Sequence, residues 1–499
     1  MTGDRNSVNS FVIIAASLGL GLIFNWLFFE KMVGISYPLF IAVTLLSYFG
    51  LSLYFKTQLT KSAWVLGIAI LVLAGFVAIR ESDFLSFLNI VTSFLLLLVL
   101  ASFGSARKLG EFEIIDYFKA IFILPFQFIA SIPTVVANLF VPRQEQREGS
   151  KIYPIIRGLV ITLPILIVFI LLFSSADLVF QKYLGKIFDF DLSQFLPRFI
   201  LVAVVTLAFV GAFGYLFQKM NVFTPRPLGS HANIGLTEVR ILFGAVNILF
   251  LIFILVQITY LFGGENNITK IGFTYADYAR KGFFELIAVA AFCFLLVFAV
   301  ERHAPRLTEK HTTSFKALAG ILILQVIVIM VSAFKRLLLY EKAYGFTAER
   351  FYAHALTTGL GLIFLLLLYK IVTDQRENRF VFGSFVLTVF FLIGLNLFNP
   401  DSFIARQNID QRLAQNEPGK LDTAYLQTLS TDATGQIVEL LYFPDKDVQY
   451  QTAMMLTSDK DNASDRPWQS FHFGRKRTLS TIDANSSRIE RILEERTDN

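Results

Sequence analysis

The sequence lacks the short motifs by which metalloproteins, nucleotide-binding proteins and serine hydrolases are recognised. Its only cysteine is Cys293, so no intramolecular disulfide can form. The five histidines are scattered, and neither HExxH nor CxxC occurs, so no zinc-ligand spacing is present. GxxxxGK[ST], GxSxG and a strand-linked GxGxxG are also missing. We therefore expect no metal, no cofactor and no nucleotide, and the sequence does not identify a reaction.

Charge is scarce as well, at 16% of residues, whereas hydrophobic residues make up 55% and the mean hydropathy is +0.60. Between Ser10 and Phe398, nearly every stretch of about 20 residues is apolar, which is the length of a bilayer-spanning helix. The sequence thus predicts an all-α, polytopic helical membrane protein with eleven or twelve transmembrane helices. The candidate spans are 10–29, 35–55, 63–79, 84–103, 117–140, 155–176, 195–218, 238–262, 282–300, 315–334, 352–372 and 380–398.

The net charge of +6 is unevenly distributed along the chain. Residues 401–499 carry 12 Lys and Arg against 16 Asp and Glu, so this part has −4 and residues 1–400 have +10. Basic loops are expected where a membrane protein meets anionic lipid, so the lipid bilayer is the first predicted partner. The cations are spread over many short loops, which gives no support to nucleic-acid binding.

The fifth apolar run differs from the others because it contains Pro125 and Pro133, and its flanks are both basic. If all twelve runs cross, the loops on the two sides receive 16 and 16 Lys and Arg, which fixes no orientation. If 117–140 is re-entrant or interfacial, the counts become 20 and 12. We therefore expect eleven crossings, with the N-terminus inside and the C-terminal tail outside.

The composition becomes that of a soluble protein after Pro400. We divide the chain into N-terminal membrane helices (1–140), a second membrane domain (141–400) and a soluble, mainly helical tail (401–499). In the tail, helices are expected at Asp422 to Leu429, Thr431 to Leu441 and Ser486 to Glu495, with a loop at 457–467. Such a tail is a small domain or a docking segment, and an envelope protein is its predicted partner.

Ionisable residues inside the spans would mark an ion or proton pathway, because burying a charge there costs several kcal/mol. The sequence places almost none there. Only Glu285 and His354 lie about one turn inside a span. A lone histidine of this kind is more often a hydrogen-bonded packing residue than a ligand, so we favour that interpretation of His354.

The segment 272–282 is the densest polar cluster beside a span. Asp277, Lys281 and Glu285 follow an i, i+4, i+8 stripe. One interpretation is a headgroup, ion or substrate site at the membrane surface. The other is a capped helix start, since Thr274 and Asp277 fit a capping box and Gly-Phe-Thr recurs at 345–347.

Several stretches together resemble the bacterial membrane family catalogued as domain of unknown function 4173, with its relative 4153. The resemblance covers roughly 150–435 and implies a helical membrane architecture without an established reaction. Phe346 and Gln407 stand where a Leu and a Tyr are expected. The residues that carry it include Arg157-Gly158, Ser174 to Asp177, Gln257, Tyr260 to Gly264, Tyr275 to Leu286, Tyr340, Tyr344 to Thr347, Arg350, Asn399 to Asp401, Ala405 to Asn408, Tyr425-Leu426 and Asp432-Ala433.

With eleven crossings, the polar members of this set fall on the outer face of the membrane. Their convergence is what a binding site requires, and it is also what a rigid, salt-bridged outer rim would show. The candidate outer-face cluster comprises Asp177, Tyr260, Tyr275, Asp277, Arg280, Glu285, Tyr344, Arg350, Asn399, Asp401 and Arg406.

Three classes of function remain open, with the chain in the bacterial inner membrane. The uncharged span interiors and the tail favour an interaction, sensory or scaffold protein of the envelope. The number of spans fits a small-molecule transporter, but midplane carboxylates are lacking. An enzyme acting on lipid-linked substrates would use Asp177, Asp277 or Glu285 as base and Arg280 or Arg350 to hold phosphate, and we lean against an enzyme.

Overall fold

The structure is a computed structural model, and it describes residues 2–105, 109–140, 162, 192–218, 235–261, 283–303, 309–415, 421–463 and 466–497. Helices make up nearly all of these residues, and no strand occurs among them. The all-α fold predicted from the sequence is confirmed. Apart from residue 162, the predicted span 155–176 lies outside the described residues.

Among the described residues, twelve helices precede the tail. They are α1 (Thr2–Phe28), α2 (Ser36–Tyr54), α3 (Lys61–Ile79), α4 (Asp83–Phe103), α5 (Ile114–Phe122), α6 (Leu124–Phe140), α7 (Leu192–Gln218), α8 (Leu236–Leu261), α9 (Phe283–His303), α10 (Glu309–Tyr344), α11 (Ala348–Thr373) and α12 (Glu377–Phe398). Nine of them are long and apolar enough to cross a membrane, namely α1–α4, α7, α8 and α10–α12. The chain is therefore a multi-pass membrane protein.

Polar contacts between helix ends define two ends of this helical bundle. At the end where α1 begins, the Thr60 backbone N–H donates to the carbonyl of Gly104 at 3.0 Å, and Lys316 pairs with Asp374. At the other end lie the C-terminus of α1, the α3–α4 connection and Asn399, all in contact with the tail. We call the first the N-terminal end and the second the tail-facing end.

Helices α5 and α6, over the fifth apolar run, are bent by 49° where they meet. Both outer ends of the pair lie at the N-terminal end. The Ile114 backbone N–H donates to Glu377 at 3.4 Å, and Asn138 donates to Gln218 at 3.1 Å. Gln218 in turn donates to Ser10 at 2.6 Å, close to the start of α1. These contacts favour a re-entrant or interfacial course, and the number of crossings stays a prediction.

A buried ion pair joins helices α9 and α11. Lys370 of α11 and Glu301 of α9 form an ion pair with only 3% and 8% of their side-chain surfaces exposed. The Lys370 ammonium also lies 5.0 Å from the Phe298 ring centre. Glu301 lies just beyond the predicted span 282–300, and Lys370 lies near the end of the predicted span 352–372. This buried ion pair was not predicted from the sequence.

Helix α10 has 36 residues and is far longer than the predicted span 315–334. At 1.5 Å per residue it extends about 54 Å, well beyond the about 30 Å hydrocarbon core. Its last turns carry Glu341 and Lys342, which the sequence placed outside any span. This extension brings the C-terminus of α10 against the tail.

The tail forms its own hydrophobic core, which runs from Ala405 to Ile492 and includes Leu426, Leu441 and Leu456. Burying one such aliphatic side chain contributes roughly 1.5–3 kcal/mol. Its helices are α13 (Pro400–Ala414), α14 (Thr423–Gln427), α15 (Thr434–Ile437), α16 (Lys446–Ala463), α17 (Phe473–Ala484) and α18 (Ser486–Thr497). The loop predicted at 457–467 is wrong up to Ala463, and α17 was not predicted.

Candidate functional site at the tail-facing end of the bundle

Arg350 binds the C-terminal end of the helix that precedes its own. Gly345, with φ +80°, ends α10, and the Arg350 guanidinium returns to donate to the carbonyl of Gly345 and, at 3.5 Å, to that of Tyr344. The same guanidinium lies 4.2 Å from the Tyr340 ring centre, and that ring packs on Tyr344. A cation at a helix C-terminus compensates the exposed carbonyl dipoles. Arg350 therefore fixes the α10–α11 turn.

Asn408 of α13 pairs with the same turn through both of its amide groups. Its Oδ1 accepts from the Phe346 N–H and its Nδ2 donates to the Phe346 carbonyl, each at 2.8 Å. The Tyr425 hydroxyl accepts from the Ala348 N–H at 2.7 Å. Tail side chains thus satisfy backbone groups that would otherwise be orphaned at the start of α11. Thr347 occupies the N-cap position, but its side chain makes no capping hydrogen bond.

Asn399 and Asp401 form the connection between the last span and the tail. Asn399 ends α12 in the left-handed region, with φ 57°, and its Nδ2 donates to the Asp432 carbonyl at 3.3 Å. Asp401, which is 5% exposed, accepts hydrogen bonds from the backbone N–H and the hydroxyl of Ser430. Both candidates hold the start of α13 against the 430–432 turn.

A second set of charges joins the α3–α4 connection to the tail, and three of its members, Arg80, Glu81 and Arg475, were not singled out from the sequence. The Arg80 guanidinium lies 3.9 Å from the Asp432 carboxylate, which also accepts from the Glu81 N–H at 3.0 Å. The Glu81 carboxylate pairs with Arg475 and accepts from the Thr431 hydroxyl. We call Arg80, Glu81, Asp401, Asp432 and Arg475 the joint.

Burial dominates the electrostatics of the joint. It raises the pKa of Asp432 from 3.8 to about 6, although Arg80 and the Glu81 N–H act in the opposite direction. The like charges of Asp401 and Glu81 add to the rise. Burial also lowers the pKa of His472, which lies in the tail beside the Arg80 backbone. Asp432 and His472 therefore make the contact between the tail and the α3–α4 connection depend on pH in opposite directions.

Arg80 also continues the joint into the bundle. Its Nε donates to the Asn396 carbonyl at 2.6 Å, near the C-terminus of α12. The Asn396 side chain exchanges hydrogen bonds of 2.8 and 2.9 Å with that of Asn89 on α4, and both residues are fully buried. The Asn396 Nδ2 also donates to the Leu392 carbonyl of its own helix at 2.8 Å. Because both amides are buried away from water, their reciprocal hydrogen bonds fix the register of α4 against α12.

Glu341 and His354 form a buried pair one turn below this surface. The His354 Nε2 lies 3.0 Å from Glu341, whose side chain is 1% exposed, and the imidazole packs on Phe334. Hydrogen-bonded packing was the interpretation favoured for His354, and its contacts with Glu341 and Phe334 agree with it. Among the described residues, no hydrogen-bond partner reaches the Glu341 Oε1 or the His354 Nδ1.

The other candidates are not brought into this arrangement. The Arg406 side chain is 71% exposed and lies 3.6 Å from the carboxylate of Asp410, one turn further along α13. Glu285 is exposed at the start of α9, and Tyr260 lies near the C-terminus of α8, where its backbone is helical. Asp177, Tyr275, Asp277 and Arg280 lie outside the described residues. Within the described part of the chain, no three His, Cys, Asp or Glu side chains gather as metal ligands.

Sequence reasoning missed Arg80, Glu81 and Arg475, because they stand in connections without a motif. Asn408, Tyr425 and Asp432 carried a signal, since each belongs to a stretch quoted for the family resemblance. That signal marked them as family-like, whereas the structure shows which backbone groups they bind.

A family model described as Domain of unknown function (DUF4153) matches residues 67–440. The matched region includes Arg80 and Asp432 and so covers both sides of the joint. Comparison with curated proteins and with solved structures found no match. The match extends over well more than half of the chain, and the protein therefore belongs to the DUF4153 family.

Proposed function

We propose that this multi-pass membrane protein is an interaction, sensory or scaffold protein of the bacterial envelope. In this proposal it lies in the inner membrane with its N-terminus in the cytoplasm. The bundle carries the tail on the outer face, and an envelope protein binds the tail. The tail-facing end of the bundle is then the functional surface.

The observation that carries the proposal is that the polar candidate residues bind groups of the protein itself. Arg350 binds helix carbonyls, Asn399 binds the Asp432 carbonyl, and Asp401 binds Ser430. An enzyme of lipid-linked substrates would keep Arg350 turned towards a phosphate. These groups instead hold a helical domain in one orientation, which is the requirement of a scaffold.

The tail also offers surface suited to a protein partner. Tyr442 is 65% exposed and Met454 is 53% exposed, although both belong to a domain with a packed core. Aromatic residues and methionine are enriched in protein interfaces. A rigid support lowers the entropy cost of binding, because the partner meets a surface that is already positioned.

The test is proximity labelling from an enzyme fused after the tail, with the full chain in cells. The wild type is compared with Glu81→Gln, which opens the joint, and with Arg406→Gln, which removes an exposed charge. We expect a specific set of labelled envelope proteins that Glu81→Gln loses and Arg406→Gln keeps, at equal membrane levels. Identical labelling in all three would contradict the proposal.

Transport is the second candidate, and the Glu301–Lys370 pair is the observation that favours it. Ionisable residues buried between spans often line substrate or proton pathways. Glu301 and Lys370 lie towards the N-terminal end, whereas Glu341 and His354 lie towards the tail-facing end. Gradient-driven uptake by reconstituted wild-type protein that Lys370→Met abolishes would favour transport over the scaffold.

A further inference from the structure

The tail contains a short segment whose composition differs from that of the rest of the tail. Residues 466–477, RPWQSFHFGRKR, carry four cations and three aromatic residues and no acid, although the whole tail has a charge of −4. Aromatic and basic residues in close alternation are typical of segments at a membrane–water interface. We call this stretch the basic-aromatic segment.

The basic-aromatic segment lies directly on the helix connections at the tail-facing end. The Ile35 N–H donates to the Phe471 carbonyl at 2.8 Å. Gly34 permits this close approach, because a Cβ there would come within 2.5 Å of the Phe471 oxygen. His472 hydrogen-bonds the backbone of Arg80. Two connections between spans thus fix the height of the segment at the end of the bundle, where spans leave the hydrocarbon.

Its tryptophan continues a lipid-facing stripe of α1. Leu18, Leu22 and Trp26 follow one another at four-residue spacing, and all three are exposed on the bundle. The Trp26 ring centre lies 5.2 Å from that of Trp468, which is 49% exposed. In a soluble domain such a large aromatic pair would face water. Next to a span it extends the apolar surface of the bundle onto the tail.

The three consecutive cations of the segment, Arg475 to Arg477, divide into two groups. Arg475 is engaged by Glu81 in the joint. Lys476 and Arg477 follow it in the first turns of α17, and both are exposed. Exposed cations beside an interfacial tryptophan match the anionic headgroups of a bilayer in position and in charge.

We propose that the basic-aromatic segment anchors the tail to the bilayer that holds the spans. Trp468 lies in the interfacial layer beside Trp26, and Lys476 and Arg477 bind the phosphate groups of anionic lipids. The tail is then held by the joint on one side and by lipid on the other. Binding to lipid makes its position responsive to the anionic lipid content of the membrane.

The test uses the fluorescence of Trp468 in the full chain, reconstituted into lipid vesicles. The sequence has three tryptophans, so Trp26→Phe with Trp64→Phe leaves Trp468 alone. We expect lipids brominated near the glycerol end of the acyl chain to quench most of its emission. The matched variant, Trp64→Phe with Trp468→Phe, reports Trp26 and serves as a lipid-exposed standard. Emission from Trp468 that acrylamide quenches and brominated lipid leaves unchanged would overturn the proposal.

A second experiment tests whether the basic-aromatic segment prefers anionic lipids. Trp468 quenching is compared between brominated phosphatidylcholine and brominated phosphatidylglycerol. We expect stronger quenching by the anionic lipid, and Lys476→Gln with Arg477→Gln should abolish that difference. Arg491→Gln with Arg496→Gln removes the same charge elsewhere on the tail and should leave the difference intact. If both double variants abolished the difference in quenching between the two lipids equally, the assignment of Lys476 and Arg477 as the lipid-binding cations would be overturned.

Discussion

The backbone N–H of Glu81 donates a hydrogen bond of 3.0 Å to the carboxylate of Asp432, which follows 351 residues later in the chain. Glu81 stands in a short connection between two spans, whereas Asp432 stands in the turn that faces the start of α13. One hydrogen bond thus joins the first third of the membrane bundle to the tail. The Arg80–Asp432 and Glu81–Arg475 pairs surround it, so the joint behaves as one network.

Replacing Asp432 by Asn should change how stability depends on pH. The pKa of Asp432 is raised from 3.8 to about 6, so the folded protein holds this proton more tightly than the unfolded chain does. The stabilisation that this carboxyl group adds to the folded protein is therefore fully present below its pKa in the unfolded chain, 3.8, and is lost as the pH rises through about 6. Relative to Asp432→Asn, the wild type should lose up to about 3 kcal/mol between about pH 4 and about pH 7.

The opposing group is His472, whose pKa is lowered by burial. Its contribution is present above the unfolded pKa and is lost as the pH falls, so Asp432→Asn should unmask that trend. Thermal unfolding of the detergent-solubilised variants across this pH range measures both effects. Arg80, Glu81 and Asp401 are the charged groups that act on the Asp432 carboxylate. If stability depended on pH in the same way in the wild type and in Asp432→Asn, the raised pKa of Asp432 would be contradicted.

Arg475→Gln should loosen the tail from the bundle. The Arg475 and Glu81 side chains are 12% and 20% exposed, so removing one partner leaves a largely buried charge and costs about 1–3 kcal/mol. Hydrogen exchange over residues 421–463 should become faster. Arg496→Gln is the matched control, because its pair with Asp447 is 52% and 71% exposed and exposed pairs contribute little. Equal exchange in both variants would argue against a structural joint.

Asn89→Leu and Asn396→Leu should each destabilise the bundle, because each leaves one buried amide without its partner. The expected cost is about 1–3 kcal/mol for either single variant. The double variant should lose less stability than the two single variants lose together, since no buried amide is left without its partner. Thermal stability in detergent for all four proteins completes the cycle. Additive losses would show that the reciprocal pair is not the source of the effect.

Gly345→Ala should disturb the α10–α11 turn. Gly345 has φ +80°, and a Cβ there would lie 2.8 Å from the Asn408 Oδ1. Left-handed backbone with a side chain costs about 1–2 kcal/mol before the steric contact is counted. Gly394→Ala, in an open position inside α12, is expected to be neutral or slightly stabilising. Comparing the two melting temperatures checks the argument, and a neutral Gly345→Ala would contradict it.

The spans could be predicted closely, because bilayer thickness dictates a length and a composition. The predicted run 35–55 corresponds to Ser36–Tyr54, and 380–398 lies within Glu377–Phe398. The length of α10 was underestimated, since its last turns carry charge and lie beyond the apolar run. Helix α17 was missed because its residues lack an apolar period, and Thr478 and Ile482 gain their place through contacts with other tail elements.

The candidate site could be predicted only in part, for a similar reason. Polar residues beside an apolar run are easy to recognise in the sequence, and this applies to Asn399, Asp401 and Arg350. Their partners, among them Asp432 and Asn408, are brought close by the docking of the tail, and no local spacing encodes that. Arg406 stands in the same family-like stretch as Asn408, yet it faces away from the bundle.

The most direct test of the account asks whether the tail and the N-terminal end lie on opposite sides of the membrane. In a Cys293→Ser background, Arg406→Cys and Lys61→Cys each place one exposed thiol, at the tail and at the N-terminal end respectively. A membrane-impermeant maleimide applied to intact cells should label Arg406→Cys. It should label Lys61→Cys only after the cells are permeabilised. Labelling of both positions in intact cells, or of Lys61→Cys alone, would contradict the account.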